Sequence, residues 1–462
     1  MNRISTILLH ALNSIKRLPM KLFFYRIARL SKYFREGGVT KYLKKNKSEE
    51  FDVLEAYKYT NDALKKVQTK TYKLLKQYYK TEKAISNQIK TLKSKKSDKR
   101  IINKIEYKLK LLNYRVSVLE HLMDSMVWTI LGGKRELVAR FYMEDKGRKS
   151  IEDKGFEATL GYCNKLNIDR NTFALITDLT TNIQVGDLII TSSKGFSIIE
   201  VKTGSKNLEA IELFKSYDEN KLDVETEISN IPDPKFRKQM NRMLNQKKRI
   251  YKTRNILINE TGPYQKGDNG NVNLIDPKFA QRTYHESILK LLEKSEKENF
   301  AYDCIGNIIH VGVYRKHWRF GLGLKTLREL NSNYPVYNLR NAMSIAVCEP
   351  IFCKPFPQKY INQIISGEVI IYIGVDYQKI IDFANDFGGT YRWSTRREFQ
   401  LVKDHSPISY KETLNWDNRG ITFTENGKMG FVGMGQIFRM VFDHYHPWDL
   451  IINRINHDSE EE

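Results

Sequence analysis

The chain has 462 residues, with 77 Lys and Arg against 54 Asp and Glu and a formal net charge of +23 at pH 7. This length is enough for two or three domains with a sizeable core, and the four cysteines are too few and too scattered for a disulfide framework. The apolar runs are shorter than a membrane span requires, so the sequence predicts no membrane partner and favours a cytoplasmic protein.

Most of the positive charge lies in the first quarter of the chain. Residues 1–115 contain 30 Lys and Arg against 9 Asp and Glu, whereas the rest of the chain contains 47 against 45. A strongly basic segment on a balanced body favours nucleic acid as a partner, because contacts to phosphates dominate such binding. A solvated, lysine-rich helical surface explains the same composition, so the charge alone does not decide.

A long helical hairpin is predicted after the first fifty residues. From about Glu50 to Val127 there is no proline, and the apolar residues are spaced by three and four. The polar stretch KSKKSDKR, residues 93–100, divides this segment into two amphipathic helices with lysines outside. We expect the apolar stripe to form core or a dimer seam.

The following residues mix helical and strand-like segments. A helix is predicted in SIEDKGFEATLGYCNKLN, a strand in NTFALITDL, and a cationic helix after the Asp-Pro pair at residues 233–234. In the last third, EVIIYIGV and REFQLV are predicted strands, and YQKIIDFANDF is a predicted helix. We therefore expect a mixed α/β fold of the α+β type.

Three parts are predicted along the chain. Residues 1–115 form a basic helical arm, residues 116–315 a central domain and residues 316–462 a C-terminal α+β accessory domain. The segment GDLIITSSKGFSIIEVKTG, residues 186–204, lies in the central part and places three charged side chains within two apolar runs joined by a turn.

The spacing of these three charges predicts that they lie together. An antiparallel hairpin with its turn at residues 192–195 pairs Asp187 with Glu200. The two-residue period of a strand puts Lys202 on the same face. Opposed carboxylates repel, and the apolar flanks predict a buried, central hairpin, so the charges must pair or bind a metal. A purely structural bridge from Lys202 to one hydrated carboxylate remains an alternative.

Asp187, twelve intervening residues and the tripeptide EVK at residues 200–202 resemble the D…(D/E)xK signature of the PD-(D/E)xK nuclease superfamily, the restriction-endonuclease-like fold. The resemblance covers about residues 115–315, and Gly186 stands where the family name has proline. It implies a central mixed sheet flanked by helices and a metal-dependent nuclease.

By that resemblance, Asp187 and Glu200 would coordinate Mg²⁺, with Mn²⁺ as a substitute. The carbonyl oxygen of Val201 would be a further ligand, and Lys202 would orient or activate the attacking water. Carboxylate oxygens suit Mg²⁺, which supplies a nucleophilic water and polarises a phosphate oxygen. The implied reaction is hydrolysis of phosphodiester bonds in nucleic acid, with DNA favoured.

The family commonly places a further acid on the helix before the first strand, and Glu157 is the first choice for it. Three acids on earlier predicted helices are alternatives: Glu136, Asp124 and Glu120. Gln246 and Tyr251 are one residue too far apart for the Q-x-x-x-Y pair of RecB-like nucleases, so the sequence assigns them no role.

Two interpretations of the whole chain follow. The first is a nuclease that resembles a bacterial restriction or anti-phage defence effector, whose basic arm binds the phosphate backbone and whose C-terminal third selects a target or receives a regulatory protein. A homodimer would suit cleavage of both strands. The second is a non-catalytic nucleic-acid-binding or scaffold protein that retains the fold; the intact Asp187, Glu200 and Lys202 argue against it.

Overall fold

The computed structural model describes residues 20–45, 51–142, 151–193, 195–202, 204–219, 223–259, 261–263, 271–273, 281–345, 347–405, 412–425 and 428–458. The chain divides into two compact units, Met1–Ile275 and Asp276–Glu462. Each unit contains helices and antiparallel sheets, so the predicted α+β class is confirmed.

The first unit carries the candidate site. Its described helices are α1 (Met20–Lys45), α2 (Val53–Ser94), α3 (Lys99–Ile130), α4 (Arg135–Phe141), α5 (Lys154–Leu166), α6 (Ser205–Glu219), α7 (Val224–Ser229) and α8 (Pro234–Asn259). Its described strands are β1 (Thr172–Ile176), β2 (Leu188–Ser192), β3 (Gly195–Ile199), β4 (Thr261–Pro263) and β5 (Asn271–Asn273).

In its described residues, the basic arm contains three packed helices, α1 along α2 and α2 along α3. The predicted hairpin is confirmed as α2 and α3. The carboxylate of Asp52 accepts a hydrogen bond from the N–H of Glu55 at 3.0 Å and caps α2, and Asp98 accepts one from the N–H of Arg100 at 2.7 Å and caps α3. The sequence analysis did not predict α1, so the arm is larger than a hairpin.

The arm is not separate from the sheet. Gln68 of α2 donates a hydrogen bond to the carbonyl oxygen of Ala174 and accepts one from the N–H of Ile176, both at 2.9 Å. These bonds satisfy the outer edge of β1 in place of a further strand. The predicted boundary at 115/116 falls inside α3, and the structure groups residues 1–115 with the sheet in one compact unit.

The sheet at the candidate site has the strand order β1-β2-β3. Both strand pairs are antiparallel, so the predicted mixed sheet is wrong for the described residues. β1 is buried from Phe173 to Ile176, and β2 begins with two fully buried residues, Leu188 and Ile189. In the described part of the sheet β3 is an edge strand and its first three residues are exposed, so the hairpin is less buried than predicted.

The described residues of the second unit form a four-stranded sheet of order β6-β7-β9-β8 and a three-stranded sheet of order β10-β11-β12. Its described helices are α9 (His285–Glu298), α10 (His317–Leu330), α11 (Gln358–Ser366), α12 (Tyr377–Asp386), α13 (Arg396–His405), α14 (Met434–Phe438) and α15 (Pro447–Asp458). Its described strands are β6 (Phe300–Ile305), β7 (Ile309–Tyr314), β8 (Val336–Asn338), β9 (Ile370–Val375), β10 (Tyr391–Trp393), β11 (Ile421–Glu425) and β12 (Lys428–Phe431).

Two sequence expectations differ from this unit. β7 pairs with β9, so the predicted boundary at 315/316 falls between two neighbouring strands of one sheet, and the structure groups residues 276–315 with the C-terminal part. The predicted strand REFQLV is wrong, because these residues lie in α13. None of the helices placed in the structure combines the length and apolar character needed to cross a membrane.

A buried ion pair lies in the second unit. The side chain of Lys354 is fully buried, and its ammonium donates hydrogen bonds to the carboxylate of Glu349 and to the carbonyl oxygen of Phe442. Nε2 of His285 lies 3.6 Å from the same carboxylate, and burial lowers the pKa of this histidine. A buried charge requires such compensation, so Lys354 and Glu349 depend on each other.

Candidate active site

The β2–β3 turn fixes where the two candidate carboxylates lie. The strands pair with the predicted register around the turn at residues 192–195, which is confirmed, and the ladder ends at Leu188 opposite Ile199. Asp187 and Glu200 are the next residues on the two strands, one position beyond the ladder. The carboxylates therefore sit at the end of the sheet, where the strands stop pairing and groups from elsewhere can approach.

Asp187 is held by its backbone and by its side chain. Its N–H donates to the carbonyl oxygen of Ile199 at 2.8 Å, and its own carbonyl oxygen accepts from the N–H of Thr177 at 3.0 Å. Oδ2 of Asp187 accepts a hydrogen bond from the N–H of Val201 at 2.8 Å. Val201 therefore contacts this carboxylate through its N–H, and its carbonyl oxygen as a metal ligand stays a prediction.

Glu200, Lys202 and Gln246 form a ring of three hydrogen bonds. Nζ of Lys202 donates to Oε1 of Glu200 at 2.9 Å and to Oε1 of Gln246 at 2.6 Å. Nε2 of Gln246 donates to the same Glu200 oxygen at 2.7 Å. The Lys202 and Glu200 side chains are only 12% and 17% exposed. The prediction that Glu200 and Lys202 share a face is confirmed by their contact.

Gln246 is the residue that the sequence analysis left without a role. It lies on α8, and its only sequence signal was the imperfect spacing to Tyr251. Five residues turn an α-helix by about 500°, which places the two side chains about 140° apart. Tyr251 is accordingly 65% exposed. The glutamine therefore belongs to the site on its own contacts, without the tyrosine.

The backbone at Gly186 explains why this chain has no proline at the position where the PD-(D/E)xK signature has one. Its φ is +77°, a region that proline cannot adopt because its ring fixes φ near −65°. A Cβ at this position would lie 2.4 Å from Cγ2 of Ile198 on the neighbouring strand. Glycine is therefore required both by the backbone angle and by the close approach of β3, and the chain enters β2 by a turn of its own.

Glu157, the first choice for the helix-borne acid, lies in the first turn of α5 and is exposed. The pKa of Lys76 on α2 is raised by a hydrogen bond with Tyr72 and, more weakly, by Glu157. Within the described residues no hydrogen bond or ion pair joins Glu157 to Glu200 or Lys202. A catalytic part for Glu157 stays a prediction that these contacts do not support.

Asp124, one of the alternatives, anchors the loop that leads to β2. Its carboxylate accepts hydrogen bonds from the N–H and the hydroxyl of Thr181, both at 2.7 Å, and from the N–H of Asn182 at 3.2 Å. Burial raises its pKa to about 7. Glu120 is also buried and accepts a hydrogen bond from the hydroxyl of Tyr79 at 2.6 Å. These contacts give both acids a structural task.

Glu136, the remaining alternative, lies in the first turn of α4 and is half-buried. Its backbone carbonyl oxygen accepts a hydrogen bond from Nε of Arg140 at 3.3 Å. The described contacts therefore join none of the four helix-borne acids to the ring of Glu200, Lys202 and Gln246.

No protein-family model, no curated protein and no solved structure matches this chain.

The donor set suits a magnesium ion better than a transition metal. No group of three His, Cys, Asp or Glu is placed to hold a metal among the described residues. Mg²⁺ commonly binds through one or two carboxylates and keeps several waters, so Asp187 and Glu200 are sufficient for it. Both hydrogen bonds to Glu200 end on Oε1, and Oε2 has no hydrogen-bond partner in the described part of the chain. The residues fit Mg²⁺.

The helix that supplies Gln246 also carries unpaired cations on the same side. Arg242 lies four residues before Gln246 and Arg249 three residues after it, so the helical period places both beside it, and Lys238 continues the same side. All three cations are exposed and form no ion pair with a described residue. This surface, the α8 basic face, lies beside Gln246 on the same side of the helix.

Proposed function

We propose that this protein is a metal-dependent nuclease that hydrolyses phosphodiester bonds of nucleic acid, with DNA as the favoured substrate. The observation that carries the proposal is the contact of Lys202 with Glu200 and Gln246 at the sheet end where Asp187 also lies. The resemblance to the PD-(D/E)xK signature rests on the sequence spacing of Asp187, Glu200 and Lys202. A part in restriction or anti-phage defence belongs to the proposal through that resemblance alone.

The chemistry follows from the donors that remain. An ammonium has three N–H donors, and Lys202 uses two of them on Glu200 and Gln246, so the third can reach a water or a phosphoryl oxygen. Its positive charge would offset the charge that develops on that oxygen. Asp187 and Glu200 would hold Mg²⁺, which when bound supplies Lewis acidity and a water of lowered pKa.

Gln246 orients the lysine rather than reacting. Its carbonyl oxygen accepts from Lys202, and its amide donates to Glu200, so both ends of the side chain are occupied. These two contacts hold the ammonium of Lys202 and leave its third N–H donor unused within the ring. Gln246 is therefore a positioning residue in the proposed mechanism.

The α8 basic face supports nucleic acid as the substrate class. Arg242 and Arg249 would contact backbone phosphates on either side of the scissile one, without reading sequence. Replacing both by Gln should lower the slope of log affinity against log salt concentration by about 1.8 for duplex DNA, at about 0.9 for each lost phosphate contact. An unchanged slope would show that this face does not touch the substrate.

The decisive experiment compares the wild type with Lys202→Ala and with Lys165→Ala, an exposed lysine on α5 that serves as the matched control. Each protein is incubated with supercoiled plasmid, linear duplex, single-stranded DNA and structured RNA in Mg²⁺, Mn²⁺ or EDTA. We expect metal-dependent cleavage by the wild type and the control, lost in Lys202→Ala. Equal behaviour of all three proteins would overturn the proposal.

Metal binding gives a second, independent readout. Mg²⁺ should raise the thermal midpoint of the wild type and should raise it less in Asp187→Asn and Glu200→Gln, because a ligand that binds only the folded state stabilises it. Stabilisation by Mg²⁺ without cleavage of any substrate would favour the non-catalytic interpretation of the fold.

A further inference from the structure

A cationic pocket opens between α1 and α2, on elements that do not carry the candidate active site. Its cavity volume is about 290 Å³. Arg26 and Arg29 of α1 face Lys70 and Lys73 of α2 across it, and no acidic side chain lines it. Four positive charges from two helices therefore converge on one small volume.

These four cations are not neutralised by the rest of the described protein. Arg26 and Arg29 are three residues apart, and so are Lys70 and Lys73, so each pair lies on one side of its helix. All four side chains are exposed and form no ion pair with a described residue. Like charges around one pocket repel each other and destabilise the helices that carry them. An anion bound between them would replace this repulsion by attraction.

The floor of the pocket is apolar and aromatic, which separates it from an ordinary lysine-rich surface. Leu30 is 5% exposed and Tyr33 lines the same pocket. The ammonium of Lys66 lies 3.9 Å from the centroid of the Tyr33 ring, so the aromatic group is held in place. A cationic rim above such a floor fits an anion that also has a flat, weakly polar part.

We propose that this pocket, the α1–α2 pocket, binds the phosphate groups of a nucleotide, either free or as part of a nucleic-acid strand. Arg and Lys side chains provide charge-assisted hydrogen bonds to phosphate oxygens, and the base would lie on Tyr33 and Leu30. The cavity volume suits a ligand of about one nucleotide, with the rest of a strand outside it. The inference does not depend on nuclease activity, because it concerns binding on different residues.

The test uses the full-length protein in EDTA, where metal-dependent cleavage does not occur. Two probes are titrated separately at low salt: ATP by calorimetry, and a fluorescein-labelled 12-mer of thymidylate by anisotropy. The variants are Lys70→Gln with Lys73→Gln, and the control is Lys83→Gln with Lys90→Gln. The control lysines are exposed residues of the same helix outside the pocket, and their replacement removes the same net charge.

We expect the Lys70/Lys73 double variant to weaken binding of at least one probe by 10-fold or more, and the control to change it by less than about 2-fold. Loss for ATP identifies a free nucleotide as the ligand, and loss confined to the 12-mer identifies a strand. Equal weakening by both double variants would reduce the effect to bulk charge and overturn the proposal. So would a wild-type protein that binds neither of the two probes.

A second variant protects the conclusion against misfolding. Arg26→Gln with Arg29→Gln changes the other wall of the pocket and should produce the same loss while circular dichroism stays unchanged. Cleavage in Mg²⁺ is measured in parallel on every protein. Lys202-dependent cleavage with unaltered probe binding in the pocket variants would refute the pocket and leave the proposed nuclease intact.

Discussion

Replacing Gln246 by Leu tests whether the three hydrogen bonds among Glu200, Lys202 and Gln246 hold the candidate site together. The substitution removes two hydrogen bonds, at 2.6 Å to Lys202 and at 2.7 Å to Glu200. Hydrogen bonds to charged groups contribute about 1.5–3 kcal/mol each when water is excluded. The partners are 12% and 17% exposed, so water replaces part of the loss. We expect the free energy of unfolding to fall by about 2 kcal/mol in urea denaturation.

The control and the coupling make this prediction specific. Asn245→Leu, an exposed neighbour on α8, should change the free energy of unfolding by less than about 0.5 kcal/mol. In a double-mutant cycle with Lys202→Met, Gln246→Leu should show a coupling energy of about 1 kcal/mol, as residues in contact do. Additive effects within about 0.3 kcal/mol would refute the ring as an energetic unit. In the cleavage assay Gln246→Leu should lose less activity than Lys202→Ala, because Glu200 still holds the ammonium.

Three further predictions concern stability. Gly186→Ala should destabilise the protein by more than about 1 kcal/mol in the same denaturation experiment, because its φ is +77° and the added Cβ meets Ile198 at 2.4 Å. The carboxyl of Asp124 has a folded pKa of about 7, above its unfolded value of about 3.9. Between about pH 3.9 and pH 7 the folded state therefore keeps a proton on Asp124 that the unfolded state has lost. The stability that this proton binding contributes is present at low pH and is lost as the pH rises through about 7. Asp124→Asn should flatten that decline, measured as urea midpoints at about pH 5 and pH 8, whereas an unchanged slope would contradict the assignment. Lys354→Met leaves the carboxylate of Glu349 buried without its cation and should cost about 3–5 kcal/mol, and a melting temperature equal to that of the wild type would show that the pair contributes nothing.

The hairpin of the site could be predicted because local rules determine it. The turn at residues 192–195 and the two-residue period of a strand fix which side chains oppose each other, so Asp187, Glu200 and Lys202 follow from counting. Gln246 could not be predicted in this way. It reaches Lys202 across 44 residues of sequence, and only the tertiary fold that places α8 beside the end of the hairpin brings the two side chains together.

The errors have identifiable physical causes. REFQLV alternates polar and apolar residues like a strand, but Thr395 and Glu398 form a capping box. The hydroxyl of Thr395 accepts from the N–H of Glu398 at 3.1 Å, and a Glu398 carboxylate oxygen accepts from the N–H of Thr395 at 2.7 Å. That motif starts a helix, and it was visible in the sequence. The mixed sheet was expected from the resemblance, whereas local pattern alone does not specify whether a further strand joins.

Side-chain hydrogen bonds to the outer edge of β1 attach the basic arm to the sheet. An arm that ended in its own domain could move with respect to the sheet, but Gln68 of α2 and Asn167 after α5 both bond the backbone of Ala174, with Asn167 accepting from its N–H at 2.8 Å. Opening that contact would leave the edge of β1 unsatisfied. The α1–α2 pocket and the candidate site therefore belong to one compact unit. A nucleic-acid strand whose phosphates occupied the pocket would be held at a restricted distance from Lys202. Its effective concentration at the candidate site would then rise without any new contact to the reacting group.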